Sequence, residues 1–434
     1  MHDPLQQLYG ARAYPAMSHP LSDPAVSSVA ALLGGLHVKH PSGASILEIG
    51  CSSGHNLIPL AMRWPGARFV GIDFSDPAIR MARDLAGVAG VGNVEFHAVD
   101  LRDFKNTSGP FDFIIAHGFF SWVPDEVKAA LLEFCENNLA SSGIATISFN
   151  AESGWRARFP VIQKVRAIQQ AGAEDEMAAL AILREVTEMD SPEIAIIDDM
   201  MAKGPEILPF DDFAPVNDPW PLDRFVNAAA EAHLRWLGES DPSTNEPSAE
   251  RTFHSAVLCR AEAPLEKQVT WAGLKRIFMR MGTAPDDGNP VLQAISRAAP
   301  RCVSVEELQA SLPNMEPREL GQRILDGIGR GWILPRIESA SHDPEPPEKP
   351  KLDPFRLECA KRKLPLVDAW HRPCSFPDRH FDVLARMDGS QDQRALADYA
   401  ASHCAELAFT PWLRHLTERG MFGLADSRHF HSSR

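Results

Sequence analysis

The chain has 434 residues, 44% hydrophobic and 23% charged, which is enough for two to four domains around a sizeable core. Acids outnumber bases 58 to 43, for a formal charge of −15, which argues against the basic face of a general nucleic-acid binder and leaves room for a lysine-bearing substrate. The seven cysteines are scattered, with no CxxC and no metal-like spacing, as in proteins that keep their thiols reduced.

The N-terminal MHDPLQQLYGARAYP has neither a basic nor an apolar leader region, and no apolar run approaches the roughly 18 residues of a membrane helix. A cytoplasmic protein with no metal site, no membrane insertion and no nucleic-acid partner is expected. Residues 1–40 are read as a leader that folds over the next unit as a lid, and Tyr14 and His19 belong to it.

From residue 45 short apolar strands alternate with helical patterns. Strands are expected at 45–50, 68–73, 94–100, 111–118 and 143–150, with helices near 55–63, 76–86 and 125–139. Strands that are apolar almost throughout, separated by helices, predict a parallel sheet covered on both faces. The fold class is therefore α/β, a doubly wound, Rossmann-like sheet. Residues 151–220 are helix-favouring, charged and then Pro- and Asp-rich, and read as a helical insertion. HLRWLGES (233–240) and RTFHSAVLCRAE (251–262) are expected to close the sheet, which gives a core at 41–262. Beyond it lie a helical, winged-helix-like module at 263–341, a Pro/Glu/Lys linker at 342–354 and a second helical module at 355–434.

The loop Gly50-Cys51-Ser52-Ser53-Gly54 follows the first strand. It matches G-x-S-x-G literally, but a nucleophile elbow normally follows several strands. A dinucleotide site would need a second glycine where Ser52 stands, and Glu48 is a poor neighbour for a pyrophosphate. A cationic nucleoside fits better. Glu48, Asp73 and Asp100 fall at or near the carboxyl ends of three successive strands, the edge at which open α/β sheets bind ligands. A carboxylate at Asp73 suits a ribose diol, and one at Asp100 could accept from an adenine amine. The competing reading of each acid is a helix or turn cap.

The segments ILEIGCSSG, FVGIDFS and FHAVDL resemble successive cofactor motifs of the class I S-adenosylmethionine-dependent methyltransferases. HPSGASILEIGCSSGHNLIPLA, IIAHGFFSWVP, SFNAESGW, RTFHSAVLCR and YPAMSHPLSDPAVSSVAALLG further resemble a bacterial subgroup that carries a methyltransferase regulatory domain and includes lysine methyltransferases of outer-membrane proteins. The resemblance implies S-adenosylmethionine as cofactor, with Glu48, Gly50 and Gly54 on the methionine side, Ser52 and Phe74 beside them, Asp73 at the ribose and Asp100 and Leu101 near adenine. It implies His117 at the end of the fourth strand, facing sulfonium and acceptor. The subgroup has tyrosine and proline where this chain has NAESGW, which puts substrate identity in doubt.

A protein or peptide acceptor, through lysine, is the leading expectation. Tyr14, Phe119, Phe120, Trp122, Asn150 and Trp155 are candidates for its pocket, with His117 and Trp122 positioning it; core packing is the alternative for Phe119 and Phe120. A small-molecule acceptor, or a non-catalytic regulatory protein that binds through its C-terminal modules, stands as the alternative.

Overall fold

The computed structural model describes residues 8–9, 14–245, 251–284, 288–339 and 342–423. The remaining parts of the expected leader and residues 424–434 lie outside the described residues.

A seven-stranded sheet forms the centre, in the order β3-β2-β1-β4-β5-β7-β6. β1 (Ser45–Ile49), β2 (Arg68–Asp73), β3 (Val94–Ala98), β4 (Phe111–Ala116) and β5 (Leu139–Asn150) run parallel. β6 (Leu234–Glu239) and β7 (Phe253–Arg260) close the edge, with β7 antiparallel to both β5 and β6. The apolar strands are explained by cover on both faces. Ile46, Phe69 and Phe113 face one buried cluster and Leu47, Val70 and Ile114 the other. β1 pairs with β2 on one side and β4 on the other, so the chain reverses its winding there, and the loop after β1 opens at the switch point.

The fifth strand begins at Leu139, directly after the helix Asp125–Asn138, and not at 143. Between β5 and the helix Leu222–Glu231 the chain makes four α-helices, Glu152–Trp155, Arg158–Gln170, Glu176–Val186 and Glu193–Lys203, packed around their own buried cluster of Val161, Leu180, Ile197 and Met200. Arg158 anchors this layer, giving Asp212 bonds at 2.9 and 2.7 Å and Asp199 one at 2.8 Å.

After β7 a three-stranded sheet, β8 (Phe278–Met281), β9 (Val303–Ser304) and β10 (Ile333–Arg336), packs with the helices Pro290–Arg297, Val305–Ser311 and Pro317–Gly329. Residues 342–354 do not hang free: Leu352 is buried and its N–H donates to Met387 O at 2.8 Å. The last part holds the helices Pro354–Lys361, Asp378–Leu384, Gln393–His403 and Phe409–Glu418 and a short hairpin, β11 (Leu366–Val367) and β12 (Pro373–Cys374). Among the described residues no helix is long and apolar enough to cross a membrane.

Candidate functional site

A cavity of about 860 Å³ opens over the carboxyl ends of β1–β4. Glu48 is the fourth residue of β1 and almost fully buried. Its Oε1 accepts from Asn56 Nδ2 at 2.7 Å, while Oε2 is buried without a partner among the described residues. Burial, reinforced by the charge of Asp73 and opposed by the Asn56 bond, pushes its carboxyl up to about 8. The turn that follows needs Gly50 at φ +75°, and a Cβ there would lie 2.9 Å from Phe119 Cδ2.

Asp73 ends β2 and ties the loop down: Oδ2 accepts from Ser52 N–H at 2.9 Å and Oδ1 from Ser75 N–H at 2.8 Å. Burial raises its pKa and these two bonds oppose the rise. With one donor on each oxygen, the carboxylate keeps lone pairs for further donors.

Of the expected cofactor residues, Glu48, Gly50, Ser52, Asp73, Phe74, Asp100, Leu101 and His117 all line the cavity. Gly54 stands apart from that wall. Its φ is +75°, and a Cβ would meet Phe96 at 2.9 Å and Ile58 at 3.0 Å, so packing behind the loop is what requires glycine there. Asp100 is also not the open acceptor expected. Arg102, two residues on, forks it with Nε at 2.9 Å and Nη2 at 2.7 Å, and that bond holds its pKa down. With Asp100 paired and Glu48 inclined to hold its proton, the rim is less negative than three free carboxylates would make it.

Tyr14, Phe119, Trp122, Asn150 and Trp155 line the same cavity. Trp122 and Trp155 meet edge to face at 6.1 Å, and Trp155 Nε1 donates to Thr252 O at 3.0 Å. Phe120 is excluded: it is fully buried in the sheet core, edge-on to Trp220 at 4.9 Å and Phe225 at 5.2 Å. The turn after β4 aims one phenylalanine at the cavity and its neighbour at the core.

His117 stacks on His19 at 3.8 Å and borders Phe253 at 5.3 Å. Burial, with the neighbouring His19, lowers the pKa of His117 well below the usual range, and burial takes His19 to about 4. Both imidazoles are therefore neutral at pH 7.

Several residues were missed in the sequence. Tyr9 reaches the cavity and meets Phe74 at 5.6 Å and Phe210 at 5.3 Å. Tyr14 meets the same Phe210 at 5.5 Å. Asp211, Arg158 and Lys203 line the far side, where Lys203 pairs with Asp211 and with Asp212. Burial raises the pKa of Asp211, with Lys203 opposing. Asn56 is the polar residue just before the apolar helix Leu57–Arg63, a signal present in GHNLIPLA.

Residues 46–143 match the family model described as "Methyltransferase domain". That match and the fold define a class I S-adenosylmethionine-dependent methyltransferase domain, whose cofactor is S-adenosylmethionine. The residues present fit the molecule: Glu48 has a buried carboxyl oxygen with no partner among the described residues, able to accept from an amino group, and Asp73, with lone pairs to spare, stands at the second strand end.

In fold the chain is similar to PKMT2 from Rickettsia typhi, with TM-score 0.76 at 18% identity, covering 93% of this chain and 96% of that one. A second structure of that protein, in complex with AdoHcy, gives TM-score 0.74. In sequence the chain is 37% identical over 154 residues to Uncharacterized protein RP789 of Rickettsia prowazekii, covering 36% of this chain and 27% of the relative. It is 34% identical over 104 residues to a trans-aconitate 2-methyltransferase of Azoarcus sp., covering 24% and 38% of the two chains. The chain thus spans only part of the length of the curated relatives it matches.

Proposed function

We propose that the chain transfers a methyl group from S-adenosylmethionine to a protein acceptor, with lysine the candidate side chain. The observation that carries the reading is one continuous cavity: residues of β1–β4 suited to the cofactor share it with aromatic and charged residues of the 151–220 layer. When bound, the cofactor supplies a methyl group on a sulfonium, open to in-line displacement by an acceptor lone pair. The chain's part is binding and alignment, from which much of the rate of such a step can come. Glu48 would receive the amino group and Asp73 the ribose hydroxyls.

A lysine must lose its proton first, which from a free pKa near 10.4 costs about 5 kcal/mol at pH 7. Tyr14, Phe119, Trp122 and Trp155 offer walls that disfavour the ammonium charge while their ring faces hold the alkyl chain. Asp211, at the far side, offers a carboxyl that could meet the ammonium on entry. His117, held neutral, is available to orient the acceptor nitrogen or take its proton through water. A cytoplasmic setting belongs to the same reading.

A small-molecule acceptor is the second reading, favoured by the likeness to trans-aconitate 2-methyltransferases. A non-catalytic role for the C-terminal units is the reading of another class, and it predicts partner binding without methyl transfer. Incubating the purified protein and a cell extract with tritiated S-adenosylmethionine decides between them. Label in protein bands supports the proposal; label confined to small molecules supports the second reading; no transfer with any fraction refutes both.

A further inference from the structure

The cofactor loop is held from below by a part of the chain more than 300 residues away. His371 occupies the turn between β11 and β12, is fully buried and has φ +62°. Asp368 shapes that turn, accepting from Trp370 N–H at 2.9 Å, Arg372 N–H at 2.8 Å and Arg419 Nη2 at 3.0 Å. The turn delivers His371 Nε2 to Asn56 Oδ1 at 2.7 Å.

The direction of this bond follows from its neighbours. The backbone N–H of His19 reaches the same Oδ1 at 2.9 Å and can only donate, so this end of the amide is the oxygen. His371 must then carry its proton on Nε2, and its Nδ1 has no partner among the described residues. The other end of the amide, Nδ2, donates to Glu48 Oε1 at 2.7 Å and to Ser22 Oγ at 2.9 Å. A continuous relay results, imidazole to amide to carboxyl, in which each donated bond polarises the next.

Other contacts seat the same unit on the loop. His55, which lines the cavity, meets Cys359 Sγ at 3.4 Å and Phe355 at 5.2 Å. Arg63 Nη2 donates to Ala369 O at 3.3 Å.

We propose that the C-terminal unit completes the cofactor site, and that His371 is a positioning residue which, through Asn56, sets the orientation and proton affinity of Glu48. The inference rests on the reading of Glu48 as the group that meets the cofactor's amino function. The charged and titratable groups around His371 are Asp23, Arg63, Arg336, His19 and His117, and the acid facing Glu48 is Asp73. The Asn56 bond favours the carboxylate form of Glu48; weakening it lets the carboxyl keep its proton to higher pH, where a bound ammonium has to displace it.

The test is calorimetric titration of the full chain with S-adenosylhomocysteine from pH 6 to pH 9. Three chains are compared: wild type, His371→Phe, which keeps a ring without a donor, and His371→Gln, which restores an N–H at similar reach. Both variants place an L side chain at the same positive φ, so backbone strain cancels between them. The expected result is a midpoint for the pH dependence of affinity that rises by about half a unit or more in His371→Phe and returns toward wild type in His371→Gln. An unchanged midpoint in His371→Phe, or equal loss at every pH in both variants, overturns the positioning role. If wild type itself binds no S-adenosylhomocysteine, it is the cofactor reading that fails. Circular dichroism of each variant supplies the folded control, and should His371→Phe not fold, the Asn56→Ser chain, which removes the donor to Glu48, must show the same raised midpoint or the relay is refuted.

Discussion

Replacing Glu48 with glutamine should stabilise the ligand-free protein and weaken its hold on a cationic ligand. The carboxyl stands at about 8 in the fold against an ordinary 4.5, because burial disfavours its charge. Between those two values the folded chain binds more protons than the unfolded one, so stability falls as pH rises through the window and has fallen fully above about pH 8. At about 1.4 kcal/mol for each pH unit, the acid at this buried position costs the fold about 2 kcal/mol at pH 6 and about 3 at pH 7, where it keeps its proton, and about 5 at pH 9, where the carboxylate is ionised in both states. Glutamine carries no such cost and keeps an oxygen for the Asn56 bond. Urea unfolding of wild type and Glu48→Gln without ligand, followed by circular dichroism at pH 6, 7 and 9, reads the difference between the two chains, which is sounder than either absolute value for a protein of several units. The variant should be the more stable, by a margin that widens with pH. Titration with S-adenosylhomocysteine should show at least about a tenfold loss of affinity, since a charged partner has become a neutral one. A stability margin that stays flat or narrows as pH rises would refute the assignment of a reluctant carboxyl to this position.

Asp73→Asn leaves one oxygen where two now accept from Ser52 and Ser75, and should cut S-adenosylhomocysteine affinity by tenfold or more while costing about 1–3 kcal/mol, checked by calorimetry and urea unfolding. Phe120→Ala should destabilise by about 3–5 kcal/mol and leave the KM for acceptor unchanged, whereas Trp122→Ala should raise that KM; the opposite pattern would place Phe120 on the substrate side. Arg63→Gln leaves fully buried Asp23 with Arg336 at 3.3 Å and the Ala25 N–H at 2.9 Å, and should cost about 3–5 kcal/mol in the same unfolding assay, since a buried carboxylate loses its 2.7 Å partner.

The five parallel strands were legible because burial on both faces forces apolar runs such as SILEI and RFVGID, bounded by glycine and acid at the ligand edge. The site at that edge was legible for the same reason: strand ends are fixed by local pattern, and acids there stand out. What escaped the sequence depends on contacts that no local pattern carries. Arg102 sits beside Asp100 in sequence, yet only the bend of the loop folds it back onto the carboxylate. Phe119 and Phe120 are identical in type and adjacent, and the tight turn alone sends them to different surroundings. Leu139 reads as the last turn of a helix because a strand beginning immediately after a helix has no punctuation to mark it. The Pro- and charge-rich stretch at 342–354 has the composition of a tether, but buried Leu352 and the backbone bonds of Leu352, Pro350 and Glu348 to Met387, Gly389 and Gln393 bring it onto the fold. His371 and Asn56 are 315 positions apart, a separation across which periodicity carries no information.

The two hydrogen bonds that Asp73 takes from Ser52 and Ser75 fasten the loop from within the chain. A guest would meet a mould that is already set, so arrival should cost little ordering of the chain. Capture would then be governed by diffusion and by the width of the entrance, and residence time by how firmly the few waiting groups grip.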